Sequence, residues 1–333
     1  MAGICLISLF ALPAAPAIST PVEISIGTHG VGSSFYSCGV GFAKLISDHS
    51  QLKAVAKPFA GPSAWLPLLR RGGVQVGYLS LIEGVWAYTV DPTYAVDVPE
   101  LRLLLTTNWN RATMGLIVRE DSGIKKVVDL RGKRVASGFG GSLVCARQSE
   151  FFLRLAGLTL NDVIKVPVPN VVEGWKALRE GRVDATYGGH PGAAKLLEIN
   201  AAIKIRPLPL EQPSNWRQIA ADIMPVAEPE MAKAGLGILR EDILLFKHPI
   251  GLVTSSQVSE EIVKEIVKVM WQYHKELYPV HPWLRGMNQK TMTNLSPMIP
   301  YHAGTVAWFK EKGLWNTEGE KIQKKLLDLR GQK

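Results

Sequence analysis

Leu69-Arg70-Arg71-Gly72-Gly73-Val74-Gln75-Val76-Gly77-Tyr78 has a counterpart 109 residues later in Leu178-Arg179-Glu180-Gly181-Arg182-Val183-Asp184-Ala185-Thr186-Tyr187. In each stretch a helical run, Trp65 to Arg71 or Trp175 to Glu180, stops at a glycine, and an apolar run follows, Val74 to Tyr78 or Val183 to Tyr187. Glycine takes up the left-handed conformation that closes a helix at little cost, so both stretches read as helix end, turn and strand. The same shift carries Gly32-Ser33 onto Gly141-Ser142. Around the first pair, Val22 to Ile26 ends at Gly27, and a glycine-rich turn from Thr28 to Ser34 leads into the amphipathic run Tyr36 to Ile46. Around the second, Lys133 to Ala136 ends at Ser137, then Gly138, Gly140 and Gly141 precede a helical run from Ser142 to Ala156 that Gly157 stops. Strand, glycine-rich turn and helix therefore occur twice in one register, which predicts two α/β lobes of largely parallel strands with helical crossovers.

In such sheets ligands lie beyond the carboxyl ends of the strands, where helix N-termini offer unpaired N–H groups and the positive end of the helix dipole. Gly32-Ser33 and Gly141-Ser142 hold that place in the two lobes. Each serine either caps its helix or touches a ligand; facing one another across a cleft, the two turns predict an anion trap. Neither is a dinucleotide fingerprint, because Gly30-Val31-Gly32 and Gly138-Phe139-Gly140 both lack the third glycine at its required place.

Outside the repeat, Leu101 to Leu105 and Met114 to Val118 are strand candidates flanking Trp109, and Leu252 to Thr254 is another after His248-Pro249. These are the segments expected to cross between lobes, with hinges near Trp109 and His248. Val258 to Leu277 reads as a helix with Glu260 and Glu261 in its first turn and an apolar face of Ile262, Val263, Ile266, Val267, Met270 and Tyr273. Thr305 to Leu327 reads as helical with an interruption at Gly313. The expected organisation is a signal peptide over 1–20, a first lobe built from 21–112 and 246–333, and a second lobe from 113–245.

The leader expectation rests on a charge-free start, the apolar run Ile4 to Leu12 and the small-residue patch Pro13 to Ala17. Cys5, preceded by the bulky Ile4, does not read as a lipid-attachment site. No other stretch is apolar for the 18 or so residues that a membrane span needs. The formal charge of +9 is carried by dispersed Lys and Arg. Such a surface steers anions, but without a recognition helix, finger or aromatic interleaving it argues against nucleic acid. Cys38 and Cys145 stand in no metal-like spacing with His, so no metal site is expected, and a disulfide between them is allowed rather than implied.

The chain resembles the TAXI group of TRAP transporter solute receptors. The resemblance is carried by Ile26-Gly27-Thr28-His29-Gly30-Val31-Gly32-Ser33-Ser34-Phe35-Tyr36, by Val76-Gly77-Tyr78 through Trp86-Ala87-Tyr88, and by Asp121-Ser122-Gly123-Ile124 with Asp129-Leu130-Arg131-Gly132-Lys133-Arg134-Val135. Tyr301-His302-Ala303-Gly304 and Trp308-Phe309-Lys310-Glu311-Lys312-Gly313-Leu314-Trp315 extend it to the C-terminal region. It implies a type II periplasmic-binding-protein fold and a monomeric periplasmic receptor without cofactor or catalytic residues. Such a receptor binds a small organic anion, usually a carboxylate, and delivers it to TRAP transporter membrane subunits. By position it implies ligand contacts from Ser33, Ser34 and Tyr36, from Ser63, from Ser80, and on the other lobe from Phe139, Ser142, Gly189 and His190. His29 stands where the group commonly has a small residue, and Ser80-Leu81-Ile82 replaces a more polar run. The ligand expected here therefore has an apolar or aromatic body, with Trp109 a further candidate contact.

Two other readings stay open. A sensor or accessory subunit would keep the fold without a transporter. A hydrolase or transferase on a two-lobed scaffold would need a nucleophile and base; no G-x-S-x-G elbow, H-E-x-x-H or Walker A loop is present, but a spatial pair such as Ser33 with His190 is not visible to sequence.

Overall fold

Two helices end at equivalent places because the glycines after them, Gly72 (φ 77°) and Gly181 (φ 70°), turn the chain left-handed. The computed structural model describes residues 22–92, 94–108, 112–225, 227–295 and 297–331. The leader expected over 1–20 and Trp109 lie outside the described residues.

In chain order the first lobe begins with β1 (Glu23–Thr28), α1 (Ser34–His49), β2 (Lys53–Pro58), α2 (Pro62–Arg70), β3 (Val76–Ser80), α3 (Leu81–Thr89) and β4 (Leu101–Asn108). The second lobe follows with β5 (Ala112–Arg119), β6 (Arg134–Gly138), α4 (Leu143–Leu155), β7 (Ile164–Val168), α5 (Val171–Arg179), β8 (Ala185–Gly189) and α6 (Ala194–Ile203). It ends with β9 (Ile205–Pro207), α7 (Trp216–Ile223), β10 (Glu228–Ala232) and β11 (Ile243–Lys247). The chain then returns through β12 (Ile250–Ser255) to α8 (Glu260–Tyr273), α9 (Gln289–Met292), α10 (Ala303–Glu311) and α11 (Thr317–Gly331). Among the described residues no helix is long and apolar enough to cross a membrane.

The sequence repeat is a structural one. A shift of 109 carries the start of α1 onto that of α4, and it superposes α2 on α5 and β3 on β8 residue for residue. One sheet has the order β2-β1-β3-β12-β4 and the other β10-β11-β5-β8-β6-β7, with β9 beside β5. The repeated strands run parallel, β1 with β2 and β3, and β6 with β7 and β8. The strands that bring the chain across are antiparallel to them: β12 against β3 and β4, β5 against β8 and β11. The sheets are thus more mixed than the repeat alone predicts, because a strand arriving from the other lobe enters without a helical crossover.

Packing inside the copies is conserved in volume rather than in residues. In the first lobe the Trp65 ring lies flat where a Cβ on Gly77 would overlap it, and a Cβ on Gly27 would sit 2.9 Å away. At the equivalent positions Gly174 replaces the tryptophan and Thr186 replaces the glycine, and a Cβ on Gly174 would overlap Thr186 Oγ1. Bulk has moved from helix to strand while the helix–strand gap stays filled, as close packing requires. On the first lobe α8 is capped by Ser259, whose side chain accepts from Ile262 N, and it buries Val263, Ile266, Val267, Val269 and Met270. Each such side chain contributes about 1.5–3 kcal/mol relative to exposure. The interruption expected at Gly313 (φ 65°) separates α10 from α11. From there α11 packs back on the first lobe, where the Gln323 amide bonds both the N–H and the C=O of Tyr301. Cys38 and Cys145 are both buried and are not joined by a disulfide.

Candidate functional site

Five helices begin at one cavity between the sheets. Its wall takes Ser33 and Ser34 from the start of α1, Ser80 from the start of α3, Val144 and Cys145 from α4, Val171 from α5 and Ala193 from the start of α6. Two of these helices belong to the first lobe and three to the second. Apolar and aromatic area comes from Phe35, Trp175, Tyr187 and Trp283. The cavity encloses about 520 Å³ of unfilled space, counting the part open to solvent, in the range of about 300–1,000 Å³ usual for small-molecule sites.

The lobes are closed over it. His29 Nε2 lies 3.3 Å from Ser142 Oγ, the Lys195 N–H donates to Gly32 O at 3.1 Å, and Arg147 pairs with Asp91 at 3.3 Å. Gly61 and Gly141 touch across the cleft: a Cβ on Gly61 would lie 2.6 Å from the Ser142 Cβ, and one on Gly141 would lie 2.9 Å from the Ala60 carbonyl carbon.

Among the described residues no Lys or Arg lines the cavity. Its polar groups include hydroxyls, an amide and imidazoles. Desolvation brings His29 down to about 3 and His248 down to about 4, and pushes the Cys145 thiol up to about 12. Glu83 on α3 is fully buried close by, its carboxyl raised to about 8 by the same cause. Its Oε1 accepts from Tyr94 OH at 2.8 Å, and the Val144 N–H of the other lobe and the Ser63 hydroxyl lie near it. Among the described residues, Ser34 Oγ, His29 Nδ1 and Gln148 Oε1 of the wall are buried without a hydrogen-bond partner. Each costs about 1–3 kcal/mol while unmet, and a ligand that met them would recover that cost.

Of the residues singled out in the sequence, His29, Ser33, Ser34, Ser80, Gly189 and His190 line this one cavity. Four are placed elsewhere. Tyr36 does not line it, and its N–H donates to Ser33 Oγ in the cap of α1. Ser63 faces Tyr94 at 3.5 Å. Phe139 is buried, with a left-handed backbone (φ 45°), and packs beside Gly174. Ser142 stands behind the wall, its Oγ 3.3 Å from both His29 Nε2 and Cys145 Sγ.

The wall also holds residues the sequence did not single out. Gln148 follows Val144 by one helical turn and so shares its face of α4, a periodicity that could have revealed it. His248 lies between β11 and β12, where the sequence places a hinge, and it also sits between Ser80 Oγ (2.9 Å from Nδ1) and the Gln148 amide (3.3 Å from Nε2). Trp175 turns its Nε1–H to Tyr187 O at 2.9 Å, which leaves the ring as apolar wall. Among the described residues no cluster of three or more His, Cys, Asp or Glu could hold a metal ion.

The profile of the NMT1-like family matches residues 26–313. Among solved structures, the chain is similar to PhnD1 from Prochlorococcus marinus (MIT 9301) in complex with methylphosphonate, at 10% identity and a TM-score of 0.52, over 89% of this chain and 100% of that one. It is also similar to the alkanesulfonate-binding protein SsuA from Xanthomonas axonopodis pv. citri bound to MOPS (16% identity, TM-score 0.48, 90% and 96% covered). A third is the periplasmic aliphatic sulphonate binding protein SsuA from Escherichia coli (17%, TM-score 0.46, 92% and 99%). Two α/β lobes with the cleft between them are the fold of periplasmic binding proteins.

Proposed function

The chain belongs to the NMT1-like family, and on that premise we propose that it is a solute receptor of the TAXI kind, working in the periplasm as a monomer. It closes on a small organic carboxylate with an apolar or aromatic body and delivers it to TRAP membrane subunits. One observation carries the reading: five helix N-termini converge on a buried cavity that has no cationic side chain among the described residues. Each contributes up to about half a positive charge at its end, and an anion is the partner such ends favour. The aromatic wall supplies area for an apolar body.

Thermal-shift screening tests it, since a ligand that binds only the folded state raises the melting temperature. Aryl and branched aliphatic carboxylates are expected to act ahead of glutamate and neutral sugars, with methylphosphonate and MOPS as further anionic arms. A clear preference for sugars or cations, with carboxylates inert, sinks the proposal. The hydrolase reading has one observation in its favour, the 2.9 Å contact of Ser80 Oγ with His248 Nδ1. Product formed from ester or amide analogues by the wild type and lost in Ser80→Ala would favour it.

A further inference from the structure

An anion closed into this cavity finds helix ends but, among the described residues, no Lys or Arg, and helix ends provide fractional charge only. The imidazoles of the wall can provide a whole one if a proton comes with the ligand. Three of them line the cavity, and their hydrogen bonds distinguish them. His248 is engaged at both nitrogens, by Ser80 and by Gln148. His190 Nδ1 accepts the Gly192 N–H at 3.1 Å, a bond that protonation at Nδ1 would break. At His29, Nε2 meets the Ser142 hydroxyl, which accepts as readily as it donates, while Nδ1 has no partner. There the ring can carry two N–H groups without losing a bond.

We propose that His29 takes up a proton as the anion enters, so that the closed complex holds an imidazolium–carboxylate pair in a cavity that has no Lys or Arg among its described residues. This rests on the reading of the cavity as a carboxylate site and adds its regulation by pH.

The surroundings leave that charge to His29. Phe35 from α1 stacks on the ring with centroids 4.3 Å apart, and α4 presents Ser142 and Cys145. The remaining titratable groups of the wall are Tyr187 on β8, His190 beyond it and His248, with Glu83 on α3 close to Cys145 and Tyr187. Burial holds Cys145, Tyr187 and Glu83 toward their neutral, protonated forms. With nothing bound, closure drives the His29 proton off, because burial alone lowers its pKa from 6.5 to about 3. With a carboxylate against it the pKa rises instead. Below pH 6.5 an empty cleft therefore closes only by expelling a proton, and a filled one keeps it.

The sign follows from linkage. An open cleft leaves His29 near the ordinary value of about 6.5, and the complex raises it. Between those two values binding takes up a proton and affinity falls as pH rises, by up to tenfold per pH unit.

Calorimetry on the wild-type protein with phenylacetate and with isovalerate, at pH 7.5 in phosphate and in Tris, reads the uptake from the difference in heats. The expected result is an uptake approaching one proton per ligand, with affinity falling from pH 6.5 to 8.5. His29→Gln is expected to bind more weakly, with neither the buffer dependence nor the slope, and His49→Gln, outside the cavity, to keep both. Measurable wild-type binding with no proton exchanged would overturn the proposal and leave the carboxylate reading standing. Uptake that persists in His29→Gln would overturn it too and move the proton to another group. If neither carboxylate gives heat or a melting shift anywhere in that range, the carboxylate reading itself fails and this inference with it.

Discussion

The two copies of the repeat differ most where they face each other. Ser33 and Ser142 are equivalent by the 109-residue shift, and each precedes the first residue of a helix. Ser33 is an ordinary N-cap in extended conformation (φ −79°, ψ 156°), its Oγ accepting the Tyr36 N–H at 3.2 Å. Ser142 (φ −147°, ψ 78°) caps nothing; its Oγ reaches His29 in the other lobe. A second pair diverges in the same way, in the opposite sense. Asn170 caps α5 by accepting from Glu173 N, whereas its counterpart Gly61 makes no side-chain cap before α2 and touches Gly141 and Ser142 across the cleft. Each lobe thus keeps one closed helix cap and gives up the other to the interface. Two copies of one unit make a receptor when the cleft-facing ends are released from local duty to bind across the gap.

Crowding the bare contact breaks the comparison most severely. A methyl at Gly141 would overlap Ala60 only when the lobes are shut. Gly141→Ala is therefore expected to leave each lobe folded, with the unliganded melting temperature within a degree or two of wild type. It should weaken binding by about 3 kcal/mol, or over 100-fold, because overpacking of this kind costs about 1–3 kcal/mol even where neighbours can shift. Scattering checks it. A ligand that compacts the wild type by hinge closure should leave the variant's radius unchanged, and a variant that still compacts would show that this contact does not gate closure.

Glu83 sharpens the asymmetry, for its counterpart in the second lobe is Gly192. Its carboxyl is raised from 4.5 to about 8 by burial beside the other lobe. In that window the folded protein keeps a proton that the unfolded chain has released, so stability falls as pH rises, by at most about 1.4 kcal/mol per unit. Wild type is expected to lose about 1–2 kcal/mol between pH 6 and pH 8, after relaxation around the buried charge. Denaturant midpoints of wild type and Glu83→Gln at the two pH values test this. The expected outcome is a smaller loss in the variant, and parallel losses would remove Glu83 as the source.

What the sequence made legible was whatever is local. Gly72 and Gly181 end helices for a reason that lies in their own backbone, and the repeat fixes their register, so the two lobes and the Gly-Ser turns could be placed from residues alone. The shared wall of His29, Ser33, Ser34, Ser80, Gly189 and His190 drew on the TAXI resemblance as well, which supplied most of those positions. His248, Gln148 and Glu83 were missed because their meaning is non-local. The Ser80–His248 contact spans 168 residues, and the His248–Gln148 contact spans 100. A lone glutamate in a helical run reads as a solvated face until the fold buries it. Phe139 and Ser63 show the converse, since a position in a binding turn does not say which way its side chain is turned.

The finest test separates the two serines by what their loss disturbs. Ser33→Ala removes an N-cap inside one lobe, a loss that typically costs about 1 kcal/mol of folding stability, within about 0.5–2. It should lower the denaturant midpoint with or without ligand. Ser142→Ala removes a hydroxyl that bonds across the cleft, and in the closed form it leaves His29 Nε2 buried without its partner. When the lobes part, water replaces that bond, so the open form is indifferent to the change. The cost therefore falls on closure: binding should weaken by about 1–3 kcal/mol, the cost of leaving a buried group without its partner, while the unliganded midpoint moves by a few tenths at most. Measured side by side, the pair gives a crossed pattern, stability lost in one variant and affinity in the other. Equal losses of stability in both would make Ser142 a cap like its twin, and the cleft contact would then carry no part of closure.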